Sequence, residues 1–111
     1  METSRAEMLR RLLEKDPNNA MILFSLGTEL FKQARYQQAR ELLARAVENK
    51  PDYSVAYRML GRAHYELAEN AEARRVFEKG REVAKANGDL QTVREIDVFV
   101  RRIERREAGE G

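Results

Sequence analysis

The stretch LGTELFKQARYQQAREL, residues 26–42, returns 34 positions later as LGRAHYELAENAEARRV, residues 60–76. Leu26-Gly27 becomes Leu60-Gly61, Phe31 becomes Tyr65, and Ala39-Arg40 becomes Ala73-Arg74. Small and apolar residues keep their addresses while the charges between them drift. The two prolines, Pro17 and Pro51, obey the same spacing. Upstream, Met8 and Leu9 precede Leu42 and Leu43 by that interval, and Leu12 precedes Ala46. One period shared by prolines, glycines and apolar residues marks a repeat, which dictates the architecture before any other feature.

Inside one unit the physics is local. Apolar residues at 23, 26, 27 and 30 make a stripe at helical spacing from Ala20 to Gln33, and those at 39, 42, 43 and 46 make a second from Tyr36 to Asn49. Ala34-Arg35 leaves room for only a short turn, so the two helices are expected to lie antiparallel. Gly27 and Ala39 allow their backbones to cross closely. Pro51 ends the second helix, because a proline pushes its predecessor out of the helical region. Asp52 or Ser54 is expected to cap the next helix, as Asp16, Asn18 or Asn19 does one repeat earlier.

These positions resemble the tetratricopeptide repeat, a helix–turn–helix unit of the same period, in its L-G, A-x3-F and terminal P addresses. The first repeat matches at Leu26-Gly27, Ala39 and Pro51, with Leu23 for the family's Trp, Leu30 for its Tyr and Leu43 for its Phe. The second matches at Leu60-Gly61, Ala73 and Phe77, with Tyr57 for Trp and His64 for Tyr. It departs at Gly80, usually Ala, and Lys85, usually Pro; Ala34 and Ala68 stand where the family often has Gly in the turn. The resemblance implies an all-α superhelix of about six helices, a single domain over 3–107. It comprises an N-terminal helix (3–15), two repeats (18–52 and 53–87), a C-terminal capping helix (89–107) and a disordered tail (108–111). The lone first helix presents Met8, Leu9, Leu12 and Leu13. Asn87-Gly88-Asp89 forms a stop and a new cap before a last stripe at 90, 93, 96, 100 and 103. Strict continuation of the period puts Arg94 and Glu95 at the Leu-Gly address, so the last helix reads as a cap with a polar outer side.

Composition narrows the function. The chain of 111 residues has 42% apolar and 36% charged residues and no cysteine, which excludes disulfides, thiolate metal sites and a cysteine nucleophile. With 21 basic against 19 acidic residues the net charge is only +2, too small a surplus for a phosphate-binding surface. The arginines of RRIERRE, 101–107, alternate with acids as a solvated helix face does. No apolar run approaches membrane-spanning length and the start lacks a secretion signal, so the expected setting is cytoplasmic, away from membranes and nucleic acid. His64, the one histidine, has no partners at ligand spacing and reads as structural. Neither a glycine-rich phosphate loop nor a nucleophile elbow is present, so no enzyme activity and no cofactor are expected.

In arrays of the family it resembles, the first helices of the repeats line a concave groove. Here that face would carry Met21, Phe24, Thr28 and Phe31, then Val55, Arg58, Arg62 and Tyr65. Large apolar residues that packing does not require mark a binding surface. Arg58 and Arg62, one turn apart, suit a carboxylate from an acidic or C-terminal peptide segment of a partner protein. A chaperone-binding subclass of the family uses a Lys/Asn/Asn clamp, for which this chain offers Phe24, Thr28 and Met59; that activity is not expected. The expected function is a protein–protein interaction module, an adaptor or scaffold. The alternative is self-association into a homodimer through the same exposed face, helped by Val98 and Phe99.

Overall fold

The computed structural model describes residues 4–109. They form six helices: α1 (Arg5–Lys15), α2 (Ala20–Lys32), α3 (Tyr36–Asn49), α4 (Ser54–Glu66), α5 (Asn70–Ala86) and α6 (Leu90–Glu107). No strand occurs among the described residues. The pairs α2/α3 and α4/α5 are the two antiparallel hairpins; α3 packs on α4, α6 on both α5 and α4, and α1 on α2 alone. The result is an all-α stack of 47 × 30 × 19 Å, long in one direction because each hairpin meets only its neighbours. Of the positions expected in the flanks, Ala108 caps α6 and Gly109 lies in the turn after it, whereas residues 3, 110 and 111 lie outside the described residues.

Three of the helix starts, those of α1, α2 and α6, are capped by side chains. Ser4 accepts from the Glu7 N–H, and the Asn19 carboxamide oxygen accepts from those of Met21 and Ile22. The α4 start differs from expectation: Tyr53 is the capping residue, and neither Asp52 nor Ser54 supplies a side-chain cap. The Ser54 hydroxyl instead donates across the repeat junction to Asp89 at 2.7 Å. Asp89 also accepts from the Thr92 N–H at the start of α6. These bonds, Thr92 first and Ser54 second, hold its carboxyl below the ordinary range.

The turns repeat atom for atom. Ala34 and Ala68 both sit at φ 60°, and Gly88 sits at φ 71°. Each is followed by a residue whose N–H reaches back five positions: Arg35 to the Leu30 carbonyl, Glu69 to His64 and Asp89 to Ala84, at 3.0, 2.9 and 2.8 Å. This left-handed helix stop normally takes glycine, because a Cβ there crowds the next carbonyl. Replacing Ala34 by Gly should therefore raise stability by about 1 kcal/mol, the relief of strain exceeding the extra freedom of the unfolded chain. A urea midpoint shifted upward with unchanged slope would show it; an unchanged or lower midpoint would refute the strain.

The close crossings are as tight as the repeated small residues imply. A Cβ on Gly61 would lie 2.3 Å from the Phe77 ring, and one on Gly27 would lie 2.8 Å from Leu43. Gly80, a departure from the family pattern, has its reason in the core. A Cβ there would meet Tyr57 at 2.6 Å and Ile96 at 3.2 Å, and Tyr57 is held by donating its hydroxyl to the Pro51 carbonyl at 2.9 Å.

The register of α6 corrects the expectation. Without a proline at 85, α5 runs 17 residues against 14 for α3. The capping positions Asn19, Tyr53 and Asp89 are thus separated by 34 and then 36 residues. Ile96 and Asp97, not Arg94 and Glu95, occupy the Leu-Gly address, and Ile96 is fully buried. The expected stripe rotates accordingly. Thr92, Ile96 and Ile103 face inward with Phe99 beside them; Val93 and Val100 are half-buried, and Leu90 is 58% exposed.

Candidate functional site

Helices α2, α4 and α6, the first of each hairpin and the terminal helix, lie side by side and share one face. The clearest sign is Arg62, whose guanidinium sits 4.9 Å from the Phe31 ring centre on α2 and 5.0 Å from that of Phe99 on α6. Two cation–π contacts thus clamp one planar cation between two repeats' worth of structure. Burial, with Arg58 and Arg102 adding their charges, holds the Arg62 group below its ordinary range. Arg58 lies one turn away, its Nε 2.9 Å from the Glu95 carboxylate but off the line of a hydrogen bond.

The remaining predicted residues divide. Thr28 and Val55 are half-buried, and Met21 is 67% exposed. Phe24 is not free: its ring lies 5.1 Å from Tyr53 at the repeat junction. Phe31 is partly engaged, edge-on to Tyr36 at 5.1 Å. Tyr65 meets Phe99 edge-on at 5.5 Å and carries Arg106 3.6 Å over its ring. Arg106 also donates to the Tyr65 carbonyl and the Asn70 side chain, both at 2.9 Å. The eight residues therefore share a face but not a common state: Met21 is exposed, Thr28 and Val55 are half-buried, and the rings and Arg62 are engaged with neighbours. Two atoms of this face, Thr28 Oγ1 and Arg62 Nε, are buried without a hydrogen-bond partner, a costly condition.

Two other expectations resolve. Phe99 stacks on Phe77 at 5.8 Å and belongs to the core, which leaves Val98, 38% exposed, as the residue turned to water. Stripe geometry forbids both from facing inward, and the bulkier ring is the one taken. His64 places Nδ1 2.8 Å from Glu69, which also accepts from Arg40 at 2.6 Å. That trio ties the α4–α5 turn to α3.

Family models described as tetratricopeptide repeat match residues 5–54 and 30–95, the second covering more than half of the chain. The chain belongs to the tetratricopeptide repeat family. The TPR repeat-containing protein PA0015 of Pseudomonas aeruginosa is 35% identical over 99 residues, covering 89% of this chain and 94% of that protein. Among solved structures, protein BPP2914 from Bordetella parapertussis superposes with a TM-score of 0.84 at 32% identity, covering 98% of this chain and 95% of that one. The TPR2B domain of yeast Sti1, solved in complex with pHsp70, has a TM-score of 0.86 over 91% of this chain and 81% of its own; at 19% identity that likeness concerns the fold. Within this tetratricopeptide repeat chain Met59 is buried, so its address in the chaperone clamp faces the core.

Sequence reasoning missed Tyr53, Glu95, Arg102 and Arg106 as parts of this face, and brought Phe99 to it only for self-association. Arg102 lies 4.7 Å from the Phe99 ring centre, on the water side of the stack. No groove address marked them: Tyr53 is the residue that caps α4, and Glu95, Arg102 and Arg106 lie one residue off the groove addresses counted from the α6 cap and reach the face by side-chain length.

Proposed function

We infer that this tetratricopeptide repeat protein is a non-enzymatic interaction module, working in the cytoplasm, that holds a peptide or helix of a partner protein across α2 and α4. A general protein-interaction role has the support of the family and of a fold shared with a domain solved in complex with pHsp70. The observation carrying the finer reading is the pair of buried, unpartnered polar atoms, Thr28 Oγ1 and Arg62 Nε. The same face carries an exposed Met21 at the start of α2 and half-buried aromatic edges. A carboxylate docked on this face would accept from the guanidinium and compete with Glu95 for Arg58. Apolar side chains of the same segment would cover Met21 and Phe31.

Selection from a library of acidic C-terminal peptides, followed by titration of the winners, tests this. Backbone shifts should concentrate at residues 21–31 and 55–65. The Arg62→Glu variant should bind at least about tenfold more weakly, the loss of a charge-assisted hydrogen bond. Shifts confined to α3 and α5, or an Arg62→Glu variant of unchanged affinity, would remove the site from this face.

A further inference from the structure

Along the seam where α4 meets α6, cations gather on aromatic rings with few acids beside them. Phe99 carries two: the guanidinium carbon of Arg102 lies 4.7 Å from its ring centre, and that of Arg62 lies 5.0 Å away. The other side of the ring stacks on Phe77 in the core, so both cations share its outer side. One turn further along α6, Arg106 lies 3.6 Å over Tyr65, whose ring meets Phe99 edge-on at 5.5 Å. Like charges over one ring repel. Arg62 is held below its ordinary range by burial first, then by Arg58, with Glu66 opposing and Arg102 adding to the effect.

The acids of the seam are engaged elsewhere or too few. Glu95 sits 2.9 Å from the Arg58 Nε and also accepts from Gln91. Asp89, whose carboxyl feels Arg58 as well, is held by Ser54 and the Thr92 N–H. Glu66, one turn beyond Arg62, is exposed to water and acts on it only through space. Among the described residues neither Arg62 nor Arg102 has a carboxylate within 4.0 Å, and Arg106 donates to two uncharged oxygens, those of the Tyr65 carbonyl and the Asn70 side chain. Three arginines against the one glutamate leave a local surplus of positive charge.

The rings position these cations without using up their donors. Cation–π contact engages the face of a guanidinium and leaves the N–H groups at its edge free. The buried Arg62 Nε is one such group without a partner. A carboxylate would bring a single negative charge and two acceptor oxygens. A phosphate monoester brings about −1.5 to −2 at neutral pH and three strong acceptor oxygens, which suits two guanidinium forks at once. We propose that the Arg62–Arg102 pair on Phe99, with Arg106 beside it, holds the phosphorylated serine or threonine side chain of a partner segment. This rests on the reading that such a segment crosses the shared face, and it names the chemistry of one of its residues.

The probes are two capped alanine peptides, one with a central phosphoserine and one with a central glutamate. They are titrated at matched ionic strength and followed through the side-chain Nε–H signals of Arg62 and Arg102. At neutral pH the phosphoserine peptide should bind at least about tenfold more tightly. That advantage should fade toward about pH 5, as the phosphate gains its second proton. Arg102→Gln, a change at an exposed position checked for folding by circular dichroism, should make the two peptides bind alike. Equal binding of both by the wild-type chain overturns the inference, as does a preference that survives Arg102→Gln. A phosphoserine peptide that moves neither signal at millimolar concentration also overturns it. Inorganic phosphate separates the sources: if it binds more than about tenfold tighter than the peptide, the site serves the free ion and not a side chain. A single-stranded oligonucleotide that outcompetes the peptide would assign the site to a phosphodiester strand instead. Acidic peptides that still bind across α2 and α4 while phosphoserine shows no advantage would leave the proposed function standing and remove this inference alone.

Discussion

A Phe77→Ala variant is expected to lose about 3–5 kcal/mol of stability, the cost of emptying a fully buried aromatic site. Phe77 has no exposed surface, fills the notch left by Gly61, and stacks on Phe99 of α6. It therefore belongs to the second hairpin and its terminal cover at once. Equilibrium urea unfolding measures the loss. The sharper reading comes from pairing it with Gly61→Ala. In the wild-type background a Cβ at 61 collides with the ring at 2.3 Å, and overpacking of that kind costs about 1–3 kcal/mol. Once Phe77 is Ala the collision is gone, and the same substitution gains the helix preference of Ala over Gly, about 1 kcal/mol. The effect of Gly61→Ala should change sign between the two backgrounds. A cost that stays the same in both would mean that something other than Phe77 holds position 61 to glycine.

A chain ending before Leu90 is expected to lose its cooperative transition. Ile96 and Ile103 are fully buried and Phe99 closes over Phe77 and Tyr65. At about 1.5–3 kcal/mol for each large apolar side chain, these three carry roughly 5–9 kcal/mol, against a total of about 5–15 kcal/mol for a domain of this size. Removal also uncovers Phe77, takes away the contacts of Arg106 with Tyr65 and Asn70, and frees Arg62 from one of its rings. Thermal melting followed by circular dichroism should give a sloping line rather than a sigmoid. A retained sigmoid would make α6 an appendage on a self-sufficient pair of hairpins, and the shared face would then end at α4.

What could be read in the chain and what could not divide along a physical line. The hairpins were legible because a close helix crossing tolerates no side chain at one address, so Gly27 and Gly61, Ala39 and Ala73 have to recur. The stop at Asn87-Gly88-Asp89 was legible because its chemistry is local. The phase of α6 was misread because it was counted from the 34-residue period, whereas the longer α5 and its stop start α6 two residues later. The left-handed alanines were half-visible, through addresses where the family often has glycine, since alanine itself carries no sign of positive φ. The α2 and α4 residues of the shared face were found, but most of those on α6, and the engagements of all of them, were not. A long cation such as Arg62 or Arg106 reaches many neighbours, and only the packed neighbourhood decides which aromatic ring it covers.

The guanidinium between Phe31 and Phe99 has a mechanical consequence. Because one rigid plane touches rings on α2 and α6 while rooted in α4, flexing the stack in either sense must slide an aromatic surface off a cation. One side chain thus adds its own resistance to bending to that of the packed helices. Lysine there would preserve the charge yet leave the array more supple.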